Sequence, residues 1–141
     1  MMVVGAVGCG KTTLCQKLHG FAIRYKKTQA VEYFKEAIDT PGEFTQLRAY
    51  YSALVVTATN AKVIALLQSA TEEKQVFPPM FTSMFNKPMI GIVTKIDLVK
   101  SKEEIKRAQN QLKLAGAQKV FPVSSVDGEG FEILFEYLDT I

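Results

Sequence analysis

The sequence predicts a single α/β domain over residues 1–141, with a central, mostly parallel sheet and helices on both faces. Three observations predict it. Short apolar runs rich in Val and Ile alternate with segments of helical periodicity. The chain has 141 residues, the size of one compact domain, and its 48% hydrophobic content can supply a continuous core. The loops richest in Gly, Asp, Thr and Ser follow apolar runs, and open parallel sheets bind ligands at the carboxyl ends of their strands.

Met1–Val4 reads as a first strand. Lys11–His19 reads as a helix, with Gly20 ending it, and Ala30–Phe34 and Ala37–Ile38 as short extended pieces. Leu47, Tyr50, Tyr51, Leu54 and Ala58 recur at helical spacing. Val63–Gln68 and Met89–Val93 have the composition of buried strands. Phe77, Phe81 and Phe85, with Met80 and Met84, are apolar on more than one face, so the segment between those strands is core packing or a partner surface. Ser101 with Glu104 has the spacing of a capping box, opening a helix that buries Ile105, Ala108 and Leu112 and stops at Gly116. Val120–Val123 is the last strand, and Phe131, Leu134, Phe135 and Leu138 form the inner face of a closing helix.

Composition excludes several classes of function. The 17 basic and 14 acidic side chains leave +3, too mild to track nucleic-acid phosphates. Cys9 and Cys15 make no disulfide framework, and with His19 the only histidine, neither a zinc cluster nor a Ser–His–Asp triad is expected. No run approaches the roughly 20 apolar residues that span a bilayer. The opening Met1-Met2-Val3-Val4 lacks a charged, cleavable leader. The expectation is a soluble chain of the reduced cytoplasm, without membrane insertion.

The segment GAVGCGKT, Gly5 to Thr12, follows the first strand and opens a helix, matching G-x-x-x-x-G-K-[ST]. Gly5, Gly8 and Gly10 let the backbone curl until consecutive N–H groups face one anion, with Cys9 a small spacer between them. The helix N-terminus at Lys11, Thr12 and Thr13 adds positive potential. Lys11 supplies a point charge for the β- and γ-phosphates, and the Thr12 hydroxyl is a Mg²⁺ ligand. The bland alternative is a glycine-rich turn capping an ordinary helix.

Further along, Asp39-Thr40-Pro41-Gly42-Glu43 places a carboxylate at a strand end, suited to hold Mg²⁺ through water, and a Gly42 N–H for a γ-phosphate. Asp and Gly are also ordinary turn residues, so this motif draws its weight from its place after the glycine-rich loop. Thr94-Lys95-Ile96-Asp97 follows a strand: the Asp97 carboxylate can accept from the paired donors of guanine, which adenine lacks, with the Lys95 stem against the base. Ser124-Ser125 is placed to offer a backbone N–H to the guanine carbonyl. Thr28, in the polar loop Arg24-Tyr25-Lys26-Lys27-Thr28-Gln29, is a candidate second hydroxyl on Mg²⁺ and the residue of a nucleotide-sensing switch.

With these motifs in one order, each beside a strand end, the chain resembles the translation-factor-like branch of small GTPases. It is similar, more closely, to the EutP/PduV family of bacterial ethanolamine and propanediol utilisation proteins. The stretches YKKTQAVEYF, IDTPGE, YYSALVVTATNAKVIALLQSAT, FPPMFTSMFNKP and GIVTKIDL carry that resemblance. It implies a Rossmann-like P-loop NTPase fold, a small G-domain, and a role beside microcompartments with a shell or enzyme partner. The interval from Thr28 to Asp39 is short for a full hairpin, so the second strand is expected to be abbreviated. Glu43 stands where many GTPases place a Gln that orients water, and its charge facing the γ-phosphate is expected to slow hydrolysis. Val126 follows Ser125 where Ala-Lys is common.

The leading expectation is GTP binding with Mg²⁺ and slow hydrolysis, as a switch or assembly factor, with Lys11, Thr28, Gly42 and Glu43 in the catalytic roles. Two other classes stay open. One is an ATP-dependent phosphotransferase acting on a small acid, and the other a nucleotide-binding structural or targeting module that turns over little.

Overall fold

The computed structural model of the chain describes residues 2–5, 9–24, 38–39, 55–56, 58–59, 61–73, 77 and 79–140. Among the described residues five strands, β1 (Met2–Gly5), β2 (Ile38–Asp39), β3 (Ile64–Ser69), β4 (Met89–Thr94) and β5 (Lys119–Pro122), form one sheet in the order β2-β1-β3-β4-β5. Every pairing is parallel. Helices whose bounds lie among the described residues are α1 (Lys11–Arg24), α2 (Lys102–Leu114) and α3 (Phe131–Asp139), with 3-10 turns at Phe81–Met84 and Ile96–Leu98.

Both faces of a parallel sheet are covered, so its strands are apolar throughout and sort their side chains by parity. Val3, Ala65, Leu67, Ile90, Ile92 and Phe121 pack with Leu14 and Leu18 of α1 and with Phe131, Leu134, Phe135 and Leu138 of α3. Met2, Val4, Ile64, Leu66, Met89 and Val93 point the other way, to Ala108 and Leu112 of α2 and to Phe77 and Phe81. Each large side chain removed from water this way contributes about 1.5–3 kcal/mol. Register aligns the strand ends: Gly5 lies beside Leu67, Ser69 beside Thr94, and Val93 beside Pro122.

Several expectations change in detail. Strand bounds move by about one residue, as ladder ends commonly do. Helix α1 runs through Gly20 to Arg24, so this glycine does not end it. Gly20 lies outside the set of positive-φ residues, and a glycine inside a helix costs only about 1 kcal/mol, less than Leu14 and Leu18 gain from burial. The expected capping box does not form: the Glu104 carboxylate accepts the N–H of Lys100, one residue before the cap, at 2.9 Å, and the Ser101 hydroxyl makes no cap bond. Ala30–Phe34 and residues 47–54 of the second helical pattern lie outside the described residues, while Val55, Val56 and Ala58 are helical.

Between β3 and β4, Phe77 and Phe81 are buried and stack with ring centroids 5.3 Å apart, and Phe85 follows at 5.6 Å from Phe81. Core packing therefore describes these rings. Met80 instead is 67% exposed with φ 60°, its N–H donated to the Leu114 carbonyl at 3.1 Å.

That segment docks on the end of α2, which closes in a Schellman motif. The Ala117 N–H reaches the Leu112 carbonyl and the Gly116 N–H the Lys113 carbonyl, with Gly116 at φ +111°. A methyl on Gly116 would lie 1.9 Å from Thr82 Oγ1 and 2.8 Å from Thr82 Cβ. Gly116→Ala is expected to destabilise the protein by about 1–3 kcal/mol from backbone strain alone. Urea denaturation should show a lower midpoint at unchanged slope.

Candidate functional site

The loops after β1, β4 and β5 meet at the carboxyl edge of the sheet, joined by side-chain hydrogen bonds. Gly5 ends β1, and a Cβ there would stand 2.6 Å from Cys9 Sγ and 2.9 Å from the Leu67 carbonyl oxygen. Cys9 and the neighbouring strand β3 come so close to Gly5 that no side chain fits there. Gly10, at φ +99°, turns the backbone into α1, whose first bond is Leu14 N–H to the Gly10 carbonyl at 2.9 Å. Lys11 bridges the loop, its Nζ donating to the Gly5 carbonyl at 2.9 Å. Thr12 and Thr13 are exposed on the first turn of α1.

Thr94 ends β4 and is 2% exposed. Its hydroxyl donates to the Cys9 carbonyl at 2.6 Å, fixing the glycine-rich loop to the neighbouring strand end. Lys95 then takes a left-handed conformation, φ 61° and ψ 35°, which is uncommon outside glycine and carries strain. The turn carries Asp97 out to an exposed position. There Asp97 Oδ1 accepts the Ser124 hydroxyl at 2.9 Å. Ser124 is fully buried, and its Oγ also accepts the N–H groups of Val126 and Asp127, at 3.3 and 3.4 Å. The loop closes through Gly128 N–H to the Ser124 carbonyl and Ser124 N–H to the Glu129 carbonyl, both at 2.9 Å. Ser125 is half-buried between them.

Of the candidate residues, the structure brings together Gly5, Cys9, Gly10, Lys11 and Thr94, and separately Asp97 with Ser124 beside Ser125. Asp39 closes β2 in register with Val3, so its backbone lies one strand from the glycine-rich loop. The Asp39 side chain, Gly8, Thr28, Gly42 and Glu43 lie outside the described residues. Sequence reasoning gave Ser124 a backbone role and missed its hydroxyl, whose signal was the turn residues Asp127-Gly128 just beyond it. Thr94 was read as a ligand contact, and nothing in the sequence marked its bond to Cys9.

A parallel sheet whose first strand ends at Gly5 and passes by way of the left-handed Gly10 into α1 has the architecture of a P-loop domain of the small G-domain type. The apo form of the translation elongation factor SelB from Methanococcus maripaludis shares this fold. It has a TM-score of 0.66 and 22% identity, over 99% of this chain and 33% of that one. A family model described as ethanolamine utilisation–propanediol utilisation matches residues 1–140, and the chain belongs to that PduV-EutP family. It is 42% identical to the propanediol utilization protein PduV of Citrobacter freundii, over 99% of this chain and 92% of that protein. It is 30% identical to the probable acetate kinase EutP of Escherichia coli K12, over 98% and 87%.

Thr94→Val keeps the shape and deletes the donor to Cys9. It is expected to cost about 1–2 kcal/mol, read as a lower urea midpoint with the far-UV spectrum unchanged.

Proposed function

We propose that the chain binds GTP with Mg²⁺ and hydrolyses it slowly, acting as a switch or assembly factor in ethanolamine or propanediol utilisation, with a microcompartment shell or enzyme as partner. The observation that supports this reading best is the bond from the buried Ser124 hydroxyl to Asp97. It leaves a carboxylate on a rigid turn at the sheet's carboxyl edge, with acceptor capacity to spare for the two donors of guanine. The glycine-rich loop fits a triphosphate: the space a Cβ would fill at Gly5 is closed, and the left-handed Gly10 leads into a helix N-terminus. In this reading Lys11 leaves the Gly5 carbonyl for the phosphates, and Gly8 and Thr13 contribute loop and helix N–H groups. Thr12 and Thr28 ligate the metal with Asp39 behind them, and Gly42 and Glu43 face the γ-phosphate. Bound Mg²⁺ would neutralise charge on the β- and γ-oxygens.

A second reading is favoured by the name of the Escherichia coli relative, a probable acetate kinase. An ATP-dependent transfer to a small acid would use Lys11, Thr12 and Mg²⁺ and make no demand on Asp97.

Lys11→Ala is expected to fold normally and lose nearly all triphosphate binding, measured by calorimetric titration; retained affinity would reject the site. Asp97 separates the two readings. A desolvated carboxylate left unpaired against adenine costs on the order of 1–3 kcal/mol, so ATP is expected to bind ten- to a hundredfold more weakly than GTP. Asp97→Asn should lose GTP and gain xanthosine triphosphate, which carries an acceptor where guanine has its amine. Preference for ATP in the parent, with Asp97→Asn unchanged, would favour the phosphotransferase.

A further inference from the structure

The outward face of α2 carries a groove of about 390 Å³ lined by Glu103, Lys106, Arg107, Asn110, Gln111 and Leu114. None of these residues belongs to the proposed nucleotide site. Arg107 is half-buried, and its Nε and Nη2 are shielded from water without a hydrogen-bond partner among the described residues. Its neighbours one turn away do not serve it. Glu103 is exposed. Gln111 is committed elsewhere: its Oε1 accepts from the buried Gln68 amide, and its Nε2 donates to the Glu73 carbonyl at 3.0 Å.

Guanidinium donors shut off from water without partners are costly, and the group cannot relieve the cost by losing its proton. Nε–H and one Nη2–H run parallel on the same side of the guanidinium, the spacing that two carboxylate oxygens match. We propose that this groove binds a carboxylate on an apolar chain. The anion sits side-on against Arg107 Nε and Nη2, reached by rotation of the Arg107 stem. Lys106 adds a second positive charge, and Leu114, 55% exposed, offers apolar surface to the alkyl part.

The test follows the Arg107 Nε–H resonance in full-length protein labelled with ¹⁵N-arginine, assigned by its loss in Arg107→Lys. The probes are sodium butyrate and a capped peptide bearing one Asp between leucines, with sodium chloride as ionic control. A saturable downfield movement with either carboxylate, absent with chloride, is the expected result. Butyrate acting alone or with the peptide identifies a free small acid, and the peptide acting alone a protein side chain. Arg107→Lys, which keeps the charge and loses the fork, should bind the effective probe at least about tenfold more weakly, read from methyl shifts of Leu114. Arg107→Met checks that loss in a variant without the charge. No saturable movement with either probe, equal movement with chloride, or full affinity in Arg107→Lys overturns the proposal. Asp97 plays no part in this readout, so failure here is distinguishable from failure of the nucleotide reading.

Discussion

The hydrogen bond from the Thr94 hydroxyl to the Cys9 carbonyl joins segments 85 residues apart. It has the properties of a keystone. Both groups are withdrawn from water, so breaking it exposes a buried acceptor to an environment that cannot repay the loss. Parallel pairing alone brings β1 and β4 to the same edge of the sheet, with β3 between them. The bond then sets the height of the glycine-rich loop against β4. From Thr94 the chain enters the left-handed turn at Lys95, and that turn delivers Asp97 to Ser124 on the next loop. Two side-chain bonds thus chain three loops into one surface, each loop anchored to a strand that the core holds rigid.

Much of the fold was legible because its physics is local and repetitive. Parity along Val63–Leu67 and Met89–Val93 tells which side chain faces which layer, and the short apolar strands separated by helical patterns allow little besides a parallel sheet. Gly116 announced the end of α2 because only a left-handed residue completes that cap. Gly20 misled for the complementary reason: a glycine permits a stop without compelling one, and packing of Leu14 and Leu18 decided the matter. Ser101 and Glu104 had the right spacing for a reciprocal cap, yet spacing does not fix a hydroxyl rotamer, and Glu104 bonds one residue earlier than expected.

At the site, the motifs gave residue types and order, while the partners came from tertiary structure. The glycine-rich loop could be read because glycine, lysine and threonine must occur at set intervals beside a strand. The bonds of Thr94 and Ser124 could not, since each crosses dozens of residues and depends on which strands are neighbours. The groove on α2 was hidden more deeply. On paper Glu103, Arg107 and Gln111 form a ladder of helix partners, and only three dimensions show that Gln111 is taken by Gln68 and Glu73.

Strand β5 lies at one edge of the described sheet, and it ends in Pro122 beside Val93. Proline has no N–H to donate, and the strand begins with the exposed cation Lys119, whose ammonium rests 4.9 Å from the Tyr137 ring. An approaching strand from another molecule would meet a broken row of donors and a charge that must be stripped of water. Fibre-like growth by strand addition is discouraged along this border. Along this border, contact with another molecule is left to side chains, which can choose the partner.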